Sequence, residues 1–231
     1  MPLHRRTVLA AVVLAPWLVG DVASFHMAQP VGAPGLPLAL TPGVAPVLLS
    51  PLPLPSLPIG TQAGDVIFRQ GTEAVSHMVR AVDQGVYSHV GLLVGQPGAW
   101  QVVHATPAER PGQPDAVVLD SLEFFLAPQR ARAFAGDRVE APSAQARQQA
   151  VAWALAQVGR PFALQGTDHA AGADDGIYCT TLVWQAWQRS GLDWQVAFIQ
   201  VQMPLLGGRY LLPSALAQSP RLQRLVWAEV R

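Results

Sequence analysis

Beyond Gly64 the pattern of apolar and polar positions moves from strand-like runs to helical stripes. Asp65-Val-Ile-Phe-Arg predicts a strand, and Ser76 to Val82 a short helix. Tyr87 to Val94 alternates as a strand does, with Tyr87, His89, Gly91 and Leu93 on one face. Trp100 to Ala105 predicts the next strand, with Trp100, Val102 and His104 on one face. Gly95-Gln96-Pro97-Gly98 between them is a turn signal. Ala116 to Leu119 predicts another strand, and Asp120 the cap of a brief helix through Phe125. Arg132 to Ala135 and Arg138 to Glu140 extend the sheet. Ser143 caps a helix to Val158, with Val151, Leu155 and Val158 as its apolar stripe and Gly159 as its stop. A further helix runs from Cys179 to Ser190-Gly191, and Ser214 to Leu225 is expected to form a helix on the domain. Strands first and helices afterwards predict an α+β fold, an antiparallel sheet or small barrel packed against helices.

The segment before Gly64 reads differently. His4-Arg5-Arg6 followed by an apolar run from Val8 to Val19, and then by small residues at Ala23 and Ser24, predicts an export signal over residues 1–24. The run is short for a membrane span, and Arg5-Arg6-Thr7-Val8-Leu9 resembles a twin-arginine signal. Residues 25–63 contain no Asp, Glu, Lys or Arg and carry nine prolines between Pro30 and Pro58. Proline favours extended geometry, so this segment is expected to be a linker or strap, with leucines that pack on the domain or touch a membrane surface. Residues 64–231 form the folded domain with a C-terminal extension. The predicted location is the periplasm or the cell exterior, with an uncleaved N-terminal membrane anchor as the alternative.

Half of the 231 residues are apolar and only 13% are charged, which supports a real core. The formal charge is zero and no basic cluster follows Arg5-Arg6, so no nucleic-acid surface is expected. Lysine is absent, which excludes Schiff-base chemistry. A single cysteine, Cys179, excludes an intrachain disulfide and leaves a thiol whose context decides its role.

That context is a helix start. Cys179 in the first turn meets free N–H groups and the positive end of the helix dipole, which favour a thiolate and an oxyanion. Cys179, Leu182, Val183 and Ala186 form a stripe that turns the thiol toward the sheet. Taking the four-residue turn as the hairpin centre puts Val94 opposite Ala99 and His89 directly opposite His104, with Cβ atoms about 4.5–5.5 Å apart. The set predicts Cys179 as nucleophile, His89 as base and His104 as the group that orients it. Tyr178 is a candidate for lining the substrate site. His77, His169, Asp174 and Asp175 have no matched partner and are read as surface. One Cys and two His can also bind zinc, but no ligand spacing supports a metal, and no cofactor is expected.

Gly64-Asp65-Val66-Ile67-Phe68, Ser88-His89-Val90-Gly91-Leu92 and Tyr178-Cys179-Thr180-Thr181-Leu182-Val183 together resemble the permuted NlpC/P60 enzymes of the YaeF/YiiX type. The resemblance implies a circularly permuted papain-like fold and a Cys–His–third-residue site, in which Cys179 and His89 match. The third position in such proteins is often Glu, and here it is His104. The expected activity is hydrolysis of an amide through a Cys179 thioester. Peptidoglycan peptides, other peptide or amino-acyl amides and lipid-linked amides are the candidate substrates. The layout is similar to lecithin:retinol acyltransferase-like proteins, so a lipid acyl hydrolase or acyltransferase is the alternative enzyme. An exported binding module without catalysis is the alternative outside enzymes.

Overall fold

The computed structural model describes residues 56–141, 143–164, 176–202 and 207–230. The predicted export signal and the strap as far as residue 55 lie outside the described residues, as do His169, Asp174 and Asp175. Six antiparallel strands form one sheet in the order β4-β3-β2-β1-β5-β8. These are β1 (Val66–Gly71), β2 (His89–Gln96), β3 (Ala99–Thr106), β4 (Ala116–Ser121), β5 (Ala131–Val139) and β8 (Leu222–Glu229). The helices are α1 (Ala74–Asp83), α2 (Leu122–Phe125), α3 (Ala144–Leu155), α4 (Cys179–Gln188) and α5 (Pro213–Ala217). A separate hairpin pairs β6 (Ile199–Val201) with β7 (Gly208–Tyr210). No helix among the described residues is long and apolar enough to cross a membrane.

The sheet has a different core on each face. On one side, Val66, Phe68, Val90, Leu92, Val94 and Val103 pack against α3 and α4 through Ala150, Ala154, Leu182, Val183, Ala186 and Trp187. On the other, Ile67, Leu93, Val102 and Phe134 pack against Leu122 and Phe125 of α2, with Leu57 of the strap added at the rim. Period-two alternation in β1 and β2 feeds both cores at once, which is why these strands read as nearly continuous apolar runs.

Four expectations are corrected. The β2–β3 hairpin closes through two residues, because Gln96 pairs with Ala99 and leaves Pro97-Gly98 as the turn. Gly98 at φ 85° supplies the left-handed position that a proline-led tight turn needs. The register is therefore two residues off the four-residue reading, with Leu92 opposite Val103. A shift of two preserves the face, so His89 and His104 still share one, as diagonal neighbours. The α3 stripe is Ala146, Ala150 and Ala154, with the expected Val151 packed beside it, whereas Leu155 and Val158 are exposed. Small residues face the sheet there because α3 packs closely beside α4. Arg132–Ala135 and Arg138–Glu140 are one strand, β5, bulged against β8 at Gly136/Asp137. Finally, the Ser214–Leu225 region holds only the short α5 and then turns into β8, whose backbone donors and acceptors are met by β5.

Candidate active site

Two backbone groups of Leu211 hold the start of α4 in place. The Leu211 N–H donates to the Tyr178 hydroxyl at 2.9 Å, and its carbonyl accepts from Thr180 Oγ1 at 2.6 Å. Within the first turn, Thr181 Oγ1 accepts from the Tyr178 N–H at 3.2 Å, which satisfies one free donor of the helix end. Cys179 follows as the first helical residue and is 9% exposed. Its thiol is pushed up to about 11 by burial, against the opposing pull of N–H groups from Val90, Thr180 and Cys179 itself and of the Arg69 charge. The helix start was expected to favour a thiolate, and burial outweighs it. Burial thus keeps the thiol protonated near neutral pH, so a base must take its proton during attack.

The candidate base, His89, opens β2. Val90, whose backbone acts on the thiol, directly follows His89, and Cys179 and His89 line the same cavity. The cavity also carries Arg69, Glu73, Ser76, Ser88 and Glu109 on its polar side, and Val79, Phe162, Leu164 and Tyr178 on its apolar side. The even-numbered residues of β2 pack on α4, whereas His89 belongs to the opposite face. Cys179 and His89 therefore approach the cavity from the two sides of the sheet's end, the one from the first turn of α4 and the other from the start of β2.

His89 Nε2 lies 2.8 Å from His104 Nδ1, and His104 Nε2 lies 3.1 Å from Asp120 Oδ2. All three side chains are buried. The imidazoles pack on Phe125, at centroid distances of 5.6 and 5.0 Å. His89 is held well below the ordinary histidine range by burial, then by Arg69 and by His104. Burial also lowers His104, opposed by its hydrogen bond to Asp120. Asp120 is lowered although burial works against its charge, because His104 and Arg110 both donate to it. The expected pair is therefore present, extended by a carboxylate.

Three residues of this region escaped the sequence reading. Asp120 was expected to cap α2, but Ser121 does so by accepting from the Phe124 N–H at 3.1 Å. The signal for Asp120 lay in β4, where Val118 stands opposite His104 and Asp120 opposite Val102 on one face. Arg69 stands opposite His89 in the β1–β2 register and is 1% exposed. Its guanidinium pairs with Glu109 and Glu73, donates to the Phe125 carbonyl at 3.0 Å and lies 4.5 Å over the Phe125 ring. Glu109 in turn accepts from Thr106 at 2.9 Å and from Arg130 at 2.8 Å. Tyr178 lines the cavity with its ring, while its hydroxyl is committed to Leu211. Trp187 and Trp194 are core residues, and Trp184 is half-buried against Phe198.

His89, His104 and Glu109 bring ligand atoms within 4.8 Å of one another. The donor set does not fit a resident cation. Both Glu109 oxygens are engaged by arginines, both His104 nitrogens are hydrogen-bonded, and the buried Arg69 charge adjoins the cluster.

A thiol at a helix start, a histidine on an antiparallel sheet and strands that precede that helix define a cysteine hydrolase of the papain-like kind in permuted order. Residues 60–226 match the family described as permuted papain-like amidase enzyme, YaeF/YiiX, C92 family, and the chain belongs to it. Among solved structures it is similar to the metalloprotein yiiX from Escherichia coli O157:H7, with 21% identity and a TM-score of 0.57 over 71% of this chain and 96% of that one. This likeness shows the shared fold. No curated protein matches the chain.

Proposed function

We propose that the chain is an exported thiol amidase that cleaves a peptide-type amide in the cell envelope through an acyl thioester on Cys179. The observation that carries the proposal is the shared cavity of Cys179 and His89, with the thiol in the first turn of α4. His89 takes the thiol proton as sulfur attacks the amide carbon, and the carbonyl electron pair moves onto oxygen. The N–H groups at the start of α4 stabilise that oxyanion, a kind of contact worth about 10²–10³ in rate. His89 then returns the proton to the leaving nitrogen, and water resolves the thioester by the same route. His104 holds His89, and Tyr178 forms the wall.

Membership of an amidase family supports a peptide or amino-acyl substrate, with peptidoglycan stem peptides first among the candidates. The leader pattern over residues 1–24 supports export to where such substrates lie. One observation favours a second reading, lipid acyl hydrolysis. A wholly apolar cleft of Met78, Val79, Val82, Leu164, Val201, Tyr210 and Leu212 adjoins the cavity through Val79 and Leu164. Incubation with muropeptides and with N-acyl phospholipids, followed by mass spectrometry of the products, separates the two. Cleaved muropeptides that depend on Cys179 support the proposal. Release of fatty acid alone replaces it with the second reading.

A further inference from the structure

We infer that Asp120 is the positioning residue that sets the proton pattern of the His89–His104 pair and leaves one nitrogen of His89 bare for the thiol. The inference rests on the reading of Cys179 and His89 as the reacting pair.

Each proton along the buried Asp120–His104–His89 chain has one place to sit. A carboxylate only accepts, so His104 Nε2, 3.1 Å from Asp120 Oδ2, carries a hydrogen. A neutral imidazole has one N–H, so His104 Nδ1 is bare. His89 Nε2 sits 2.8 Å from that bare nitrogen and must supply the hydrogen between them. His89 has then spent its own single N–H, and its Nδ1 holds a free lone pair. The middle of this proton chain is shielded from bulk solvent, since His104 is fully buried and Asp120 is 4% exposed. When the S–C bond forms, the thiol proton passes to His89 Nδ1. The positive charge that results is balanced through His104 by Asp120. Glu109, the other nearby carboxylate, is already spent on Arg69 and Arg130.

Arg110 makes the device directional. It donates to Asp120 Oδ1 while His104 donates to Oδ2, so both oxygens are committed. In Asp120→Asn the single amide oxygen goes to Arg110, and the amide NH₂ is turned toward His104. His104 Nε2 must then accept, its Nδ1–H donates to His89 Nε2, and the His89 proton moves to Nδ1. The Nδ1 lone pair that the proposed reaction needs is lost. Removing Arg110 as well frees the amide to rotate and offer its oxygen to His104.

The test uses full-length protein labelled with ¹⁵N-histidine. At pH 8 the wild-type spectrum should show His89 and His104 both protonated at Nε2 and bare at Nδ1. D120N should invert both rings and slow acylation of Cys179 by p-nitrophenyl acetate about 10²–10⁴-fold, the scale of a wrong tautomer. The double variant R110A/D120N should recover at least tenfold of that loss. A bare Nε2 on wild-type His104 overturns the inference, even where D120N does not fold. Folded D120N with unchanged rings and unchanged rate overturns it as well. A wild-type protein that shows this ring pattern yet forms no acyl enzyme refutes the catalytic reading and not the proton pattern.

Discussion

Gly91 is the position at which packing and chemistry are most tightly joined. It lies two residues after His89 on β2, at the close approach to β3. A Cβ added there would stand 2.3 Å from Val102 Cγ1, 3.0 Å from the Val103 carbonyl oxygen and 3.2 Å from His104 Cβ. Val102 is fully buried and stiff about χ1, and a backbone oxygen moves only with its strand. Gly91→Ala must therefore push β2 and β3 apart at the point where His89 and His104 are 2.8 Å from each other. Overpacking of this kind costs about 1–3 kcal/mol. Gly91 has no positive φ, so the reduced freedom of the unfolded alanine chain returns about 0.4–1 kcal/mol. The central net loss of about 1.3 kcal/mol corresponds to a fall in Tm of roughly 3–5 °C for a domain of this size. The rate should suffer more than the stability. A misplacement near 1 Å can cost about 10²-fold, and acylation of Cys179 should slow at least tenfold. Calorimetry and single-turnover acylation of the purified variant measure both. An alanine variant with unchanged Tm and unchanged acylation would refute the reasoning that this contact sets the imidazole pair.

Other expectations follow from the anchoring of α4 and from the buried titrating groups. Tyr178→Phe leaves the Leu211 N–H buried and unpaired and should cost about 1–3 kcal/mol in urea unfolding. An unchanged midpoint would show that the hydroxyl does not anchor the helix. Stability should also fall in acid. His89 and His104 titrate lower in the folded protein than their ordinary value of 6.5, so below that pH the unfolded chain binds protons that the folded chain does not. Their contribution is complete above pH 6.5 and is lost on acidification, at up to about 1.4 kcal/mol per pH unit for each ring. Urea midpoints measured from pH 7.5 to pH 5 check this, and a flat profile contradicts it.

Much of the site was legible because it depends on local pattern. Period-two alternation placed His89 and His104 on one face, and the apolar stripe after Cys179 placed the thiol at a helix start that the structure shows. Face parity survives a two-residue change of register, so the wrong turn length left the two rings within hydrogen-bonding distance. What escaped depends on tertiary partners. An Asp before Ser-Leu-Glu looks like a helix cap, and only the β3–β4 pairing reveals that it reaches His104. Arg69 looks like the polar end of a strand, and only the chain folding back at Glu109 and Phe125 makes its burial tolerable. The α3 stripe misled because close helix packing selects alanine over the larger apolar residues, and β8 was missed because its pairing with β5 overrides local preference.

The central claim, that sulfur at the start of α4 attacks with His89 as its base, is tested most directly by intact-mass and peptide-mapping mass spectrometry after acid quench of a reaction with an acyl p-nitroanilide. The account predicts one acyl group on the peptide that contains Cys179, absent in Cys179→Ala and strongly reduced in folded His89→Gln. An acyl group on another residue, or equal acylation with and without His89, would contradict it.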